Sequence, residues 1–207
     1  MEKFTRLAAT ACPLPTENID TDQILPARYL KLPRKGEHGK VLFHDLRFDA
    51  ERNERPGFPL NRPHGRAAKI IVAGRNFGGG SSREAAVYAL FDYGIRCVIA
   101  PSFGDIFAQN ATKNGLLTAV LGEAENSALL LALEREPASI VTVDLVSQSI
   151  ACGELQFQFV MDASRRDRLL NGWDDFDVTN SFRKEISDFK GADRKRRPWA
   201  VPHRRDI

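Results

Sequence analysis

Sorted into apolar and polar positions, the middle of the chain is far more regular than its flanks. Residues 69–73 form a short β-branched run that stops at Gly74, the pattern of a buried strand. A glycine-rich stretch, 75–82, follows. Residues 83–93 then place Ala86, Val87, Leu90 and Phe91 at helical spacing, and Gly94 closes that helix. A second buried strand is predicted over 96–100. The turn at 101–105 leads into a helix through about residue 114, where Gly115 stops it, and 116–121 read as another strand. An amphipathic helix over 126–136 ends at Pro137. Residues 139–146, 148–151 and 154–160 read as strands, the last two joined at Cys152-Gly153, and 164–171 form a short final helix stopped by Gly172.

The flanks carry weaker patterns. Residues 32–65 are polar and punctuated by Pro and Gly, which predicts an extended surface excursion. Beyond Asn180 the chain is charged and is expected to fray or to lie on a partner. Strands alternating with helices over short connections imply an α/β core, with the later strands adding an antiparallel element. The division expected is one domain, 1–180, and a charged tail, 181–207.

Composition narrows the class. At 207 residues, with 43% hydrophobic and 28% charged positions, the chain suits one globular core. The net charge of +3 is small, and much of the basic excess follows Lys190, which argues against a nucleic-acid groove. The opening Met1-Glu2-Lys3-Phe4-Thr5-Arg6 has no apolar core of a secretory signal, and a membrane span is not expected. Cys12, Cys97 and Cys152 are odd in number and scattered, unlike a disulfide framework or a metal cluster, so a reducing cytoplasm is expected. Cys97 lies in an apolar run and reads as core. His38, His44, His64 and His203 lie in polar stretches and read as surface residues.

The densest chemistry lies in Gly74-Arg75-Asn76-Phe77-Gly78-Gly79-Gly80-Ser81-Ser82-Arg83-Glu84. Successive glycines let the backbone approach a ligand closely, and a helix starting behind them points N–H groups and partial positive charge at it. Arg83 adds a planar fork suited to a carboxylate or phosphate. Ser81 and Glu84 are also spaced as a capping box, which would confine Ser81 to satisfying backbone donors. Arg83 weighs against that plain reading, because acidic residues are preferred in a helix first turn. The segment lacks the Gly-Lys-Ser/Thr of a Walker A loop and is a poor dinucleotide fingerprint, so anion binding is the expectation.

The same segment resembles the Gly-Ser-Ser-Arg-Glu signature of the swivelling domain of the aconitase superfamily. The match continues through residues 93–107 and 110–117. Upstream, Asn18-Ile19-Asp20-Thr21-Asp22-Gln23-Ile24-Leu25-Pro26-Ala27-Arg28-Tyr29-Leu30 resembles the opening motif of the isopropylmalate dehydratase small subunits. Downstream, Leu169-Leu170-Asn171-Gly172-Trp173-Asp174-Asp175 resembles their late motif, with Trp173 and Asp177 departing from it.

This resemblance implies a single swivelling β/β/α domain of the aconitase C-terminal type, a mixed sheet with flanking helices. It implies the small subunit of a heteromeric hydro-lyase that isomerises 2-isopropylmalate to 3-isopropylmalate through 2-isopropylmaleate. The 4Fe–4S cluster, whose open iron serves as Lewis acid, is expected on a large-subunit partner, with no cofactor or metal in this chain. No nucleic-acid or membrane partner is expected.

By the same resemblance Ser81 is the catalytic base. Ser82 and Arg83 bind substrate, Arg83 gripping a carboxylate. Asp22 and Thr21 orient the site, with capping as the competing role, and Tyr29 and Leu30 lie in the specificity segment. Leu30 suits an isopropyl group, while Arg28, Lys31 and Arg34 blur that assignment. Gly79 and Ala85 stand where the family commonly has Cys and His. They leave open a paralogue acting on citramalate, dimethylmalate or homocitrate, or a non-catalytic partner subunit of the same fold.

Overall fold

The computed structural model of the protein describes residues 1–34 and 36–200. Strands β1 (Arg6–Leu14), β2 (Ile70–Ala73), β3 (Cys97–Ala100) and β4 (Leu117–Val120) run parallel. Strands β5 (Ile140–Asp144), β6 (Ser149–Cys152) and β7 (Leu155–Gln158) continue the same sheet antiparallel, in the order β4-β3-β2-β1-β5-β6-β7. β1 joins the two halves: its residues Ala11 to Leu14 pair with β2, and Arg6 to Thr10 pair with β5. The expected mixed α/β sheet is therefore present.

Ten helices accompany it among the described residues: α1 (Thr21–Ile24), α2 (Glu37–Lys40), α3 (His44–Arg47), α4 (Pro63–Arg66), α5 (Glu84–Tyr93), α6 (Asp105–Lys113), α7 (Glu123–Arg135), α8 (Ala163–Asn171), α9 (Asp175–Ser181) and α10 (Arg183–Arg196). Side chains alternate across each strand, so Ile71 and Ala73 face one layer and Ile70 and Val72 the other. The first layer packs α5 through Ala86, Val87 and Leu90, with Phe107 and Ala111 of α6. The second packs Leu129 and Leu133 of α7 and Leu169 of α8. Strands buried on both faces read as unbroken apolar runs, which is why β2 and β3 stand out in the sequence.

Four features differ from the sequence reading. β1 has no strand pattern: Arg6-Leu7-Ala8-Ala9-Thr10-Ala11-Cys12-Pro13-Leu14 is rich in small residues and contains a proline, yet it is central in the sheet. The segment 32–65 is not a surface excursion. It fully buries Leu42, Phe43 and Leu60, and α2 lies so close to the end of α5 that a Cβ on Gly39 would come within 2.6 Å of the Tyr93 nitrogen. His38 is accordingly buried, not exposed, and His44 has a side chain only 16% accessible, while His64 is exposed as expected. His203 lies outside the described residues.

The last difference is that the charged end does not fray over its described residues, which continue from α9 into α10 as far as Arg196. Asp174 caps α9 by accepting from the backbone N–H groups of Phe176 and Asp177 at 2.8 Å each. No residue of α10 is buried, and Phe176, Phe182, Phe189 and Trp199 all point outward. No helix among the described residues is long and apolar enough to cross a membrane.

Candidate active site

Because β1, β2 and β3 are adjacent and parallel, the loops leaving their C-terminal ends share one edge of the sheet, where open α/β sheets bind ligands. Those loops are 15–20, 74–83 and 101–104. Isolated bridges join Asp20 to Gly79 and Phe77 to Phe103. The Gly78 N–H donates to the Ile19 carbonyl at 2.7 Å, and the Thr21 N–H donates to the Gly79 carbonyl at 3.0 Å. The Asn76 N–H donates to Ser102 Oγ at 2.8 Å, and its Nδ2 donates to Asn18 Oδ1 at 2.9 Å.

This close packing explains the glycines. Gly78 has φ +75°, and a Cβ there would sit 2.2 Å from the Phe107 ring. Its carbonyl in turn lies 2.5 Å from where a Cβ on Gly104 would be. Only hydrogen fits at either position.

Ser81 is exposed at the end of this loop. The capping box it could have formed with Glu84 is not made. Helix α5 starts at Glu84 behind an extended Arg83, and no side chain caps it. The Ser81 carbonyl instead accepts a hydrogen bond of 2.8 Å from Thr21 Oγ1, and Thr21 is only 2% accessible. Nor do Thr21 and Asp22 cap α1. That role belongs to Asp20, whose carboxylate accepts from the Gln23 N–H at 2.7 Å while Gln23 Oε1 accepts the Asp20 N–H at 3.0 Å. Asp22 is thereby available to pair with Arg83, whose side chain is 18% accessible.

Thr21, Asp22, Ser81 and Arg83 thus converge on one corner, with exposed Ser82 between the last two. Tyr29 and Leu30 sit on the next turn, where Tyr29 packs its ring on His44 at 4.9 Å and Leu30 is 40% accessible. Arg28 is bound to the Asp45 carboxylate. Asp20, Asn18 and Asn76 also shape this corner. Asp20-Thr21-Asp22-Gln23 carried a capping-box signal for the first of them, whereas the two asparagines had no local signal. Of the departures from the family pattern, a Cβ on Gly79 would meet the Asn76 amide at 3.1 Å, and Ala85 packs against the core.

Three comparisons bear on this geometry. Residues 1–124 match the aconitase C-terminal domain family. The chain is 48% identical over 202 residues to the 3-isopropylmalate dehydratase small subunit of Rhodospirillum centenum, covering 97% of this chain and 100% of that protein. The chain belongs to the 3-isopropylmalate dehydratase small-subunit family. A second family member, from Jannaschia sp., is 46% identical over 96% of this chain and 100% of its own length. The crystal structure of 3-isopropylmalate dehydratase from Methanocaldococcus jannaschii superposes with a TM-score of 0.65 at 27% identity, covering 89% of this chain and 99% of that one. The aconitase-type fold of the small-subunit family is therefore the fold of this chain.

Proposed function

We propose that this chain is the small subunit of a 3-isopropylmalate dehydratase, a hydro-lyase that interconverts 2- and 3-isopropylmalate through the unsaturated diacid. The observation that carries the reading is the corner built by Thr21, Asp22, Ser81 and Arg83, in a chain 48% identical over its length to a small subunit of that name.

In this reading Ser81 Oγ takes the proton from the carbon beside a substrate carboxylate and later returns one. An alkoxide needs strong stabilisation, and Arg83 with the backbone N–H groups ahead of α5 supplies positive potential there. Arg83 also grips a substrate carboxylate with the donors that Asp22 leaves unused. Asp22 and Thr21 orient Arg83 and Ser81, Ser82 bonds substrate or steadies the loop, and Tyr29 and Leu30 meet the alkyl group.

The residues of this chain do not fit an iron–sulfur cluster. Cys12, Cys97 and Cys152 are buried and far apart in sequence, and among the described residues no group of three or more His, Cys, Asp or Glu is placed to hold a metal. We assign the cluster to a large-subunit partner, consistent with a Ser81 that stands open on the isolated chain, and the cytoplasm as the setting.

The test is an anaerobic assay of the chain alone and reconstituted with the large subunit, following the ultraviolet absorbance of the unsaturated diacid. Activity only in the mixture, with preference for isopropylmalate over citramalate, dimethylmalate and homocitrate, is expected. An assembled, cluster-loaded complex inactive on all four would overturn the reading.

A further inference from the structure

Three cations, Arg28, Lys31 and Arg34, surround the segment that carries Tyr29 and Leu30, and two of them are engaged elsewhere. Arg28 is held by Asp45. Arg34 lays its guanidinium on the face of Tyr88, with Cζ 3.6 Å from the ring centroid, and donates from Nη2 to Asn114 Oδ1 at 2.9 Å. Neither contact lies within its own loop. Tyr88 is on α5, and Asn114 closes α6.

Asn114 is itself fixed: its Nδ2 donates to Glu84 Oε1 at 2.8 Å and to the Asn110 carbonyl at 2.9 Å. Glu84 and Tyr88 stand one helical turn apart on the same face of α5. Glu84 is also the first residue of that helix, directly behind Ser81-Ser82-Arg83. Arg34 therefore ties the 28–34 segment to the helix that begins at the proposed catalytic loop. A guanidinium suits this role, because one planar group stacks on a ring and donates at its edge, which an ammonium does not do.

We infer that Arg34 is a positioning residue for substrate discrimination: it latches the 28–34 segment onto α5, so that Leu30 is presented at a fixed place relative to Ser81. Engaged with Tyr88 and Asn114, Arg34 is also withheld from substrate, leaving the apolar Leu30 to face an alkyl substituent. This assignment rests on the hydro-lyase reading above and adds the element that tunes it.

The test compares 2-isopropylmalate with citramalate, its methyl counterpart, in the complex reconstituted with the large subunit. Arg34→Ala is expected to raise KM for 2-isopropylmalate by about tenfold, the loss of one stacked cation and one hydrogen bond, and Tyr88→Leu by a smaller factor of about threefold, since it loses the stacking alone. The kcat should stay within about twofold of wild type, because the latch places the residue that meets the alkyl group and does not touch the reacting atoms. KM for citramalate, or its Ki where turnover is absent, should change less. Arg34→Lys should fail to rescue, whereas Tyr88→Phe, which keeps the ring face, should behave as wild type. An unchanged KM in Arg34→Ala, a fall confined to kcat, or an equal loss for both acids would overturn the assignment.

Limited trypsin digestion of the full chain reads the latch without any turnover. Tyr88→Leu leaves every trypsin site in place and should cleave several-fold faster within residues 28–34 than wild type, with Tyr88→Phe unchanged. Equal cleavage would remove the latch even if the complex were active. Faster cleavage in a complex inactive on all acids would instead locate the failure in the hydro-lyase reading.

Discussion

The hydroxyl of Thr21 donates to the carbonyl of Ser81 at 2.8 Å, across sixty positions of sequence. Thr21 is buried and Ser81 exposed, and the bond between them holds the backbone that presents the Ser81 side chain. Thr21→Val keeps the shape and deletes the donor. It should lower kcat of the reconstituted complex by about tenfold, the loss of one positioning hydrogen bond worth ~1–1.5 kcal/mol, while Thr21→Ser retains most activity. A fully active Thr21→Val complex would show that the bond does not position the serine.

Ser81→Ala should leave folding and assembly intact, because the side chain is exposed and makes no capping bond to α5. Turnover should fall by roughly 10²–10⁴-fold or more, the range for removing a positioned acid–base group. Co-purification with the large subunit and a steady-state assay check the two halves separately. An active Ser81→Ala complex would sink the role of Ser81 as base.

The Arg28–Asp45 pair gives a pH signature. The hydrogen-bonded Arg28 guanidinium holds the Asp45 carboxyl down at about 2. Since the folded value lies below the unfolded one of ~3.9, the stabilisation is present above pH ~4 and is lost as pH falls toward 2. Both partners are more than half exposed, so its size should stay below about 1 kcal/mol. Carboxyl carbon NMR should place the Asp45 midpoint near 2, and Arg28→Ala should return it to the ordinary carboxylate range. A midpoint already ordinary in the wild type would show that the pair is not formed in solution.

The cysteines should be inert in the native chain. Burial pushes the Cys12 thiol up to about 12 and the Cys97 thiol higher still, with Cys152 also raised. The thiolate is the reactive form, so all three stay protonated at pH 8. Ellman's reagent should label the folded protein very slowly and three thiols after unfolding in denaturant. Rapid labelling of even one native thiol would contradict the packing around it.

What was legible in the sequence follows from how locally each feature is specified. β2 and β3 announce themselves as unbroken apolar runs, and α5 and α6 by apolar residues at helical period with glycines at their ends. β1 does not, since its small residues are chosen by two neighbouring strands and not by their own hydrophobicity. His38 reads as a surface residue, and the 32–65 segment around it as a surface excursion, because single turns such as α2 and α3 are too short to show a period. At the site, the glycine-rich loop and Arg83 stand out from sequence alone as an expected anion site. The bond from Thr21 to Ser81 and the pairing of Asp22 with Arg83 span about sixty residues, and only the parallel β1–β2 pairing brings their partners together.

The sheet order divides labour along a single line. Each loop of the proposed active corner leaves β1, β2 or β3, while β5, β6 and β7 lie on the far side of β1, where β5 pairs with it and all three share the second core layer. The antiparallel ribbon is thus a buttress whose outer turns are spectators. The turn at Gly153 and Glu154, open to solvent and remote in the sheet from Ser81, is accordingly a place where an affinity tag or a fluorescent label could be spliced in with the reactive edge left untouched.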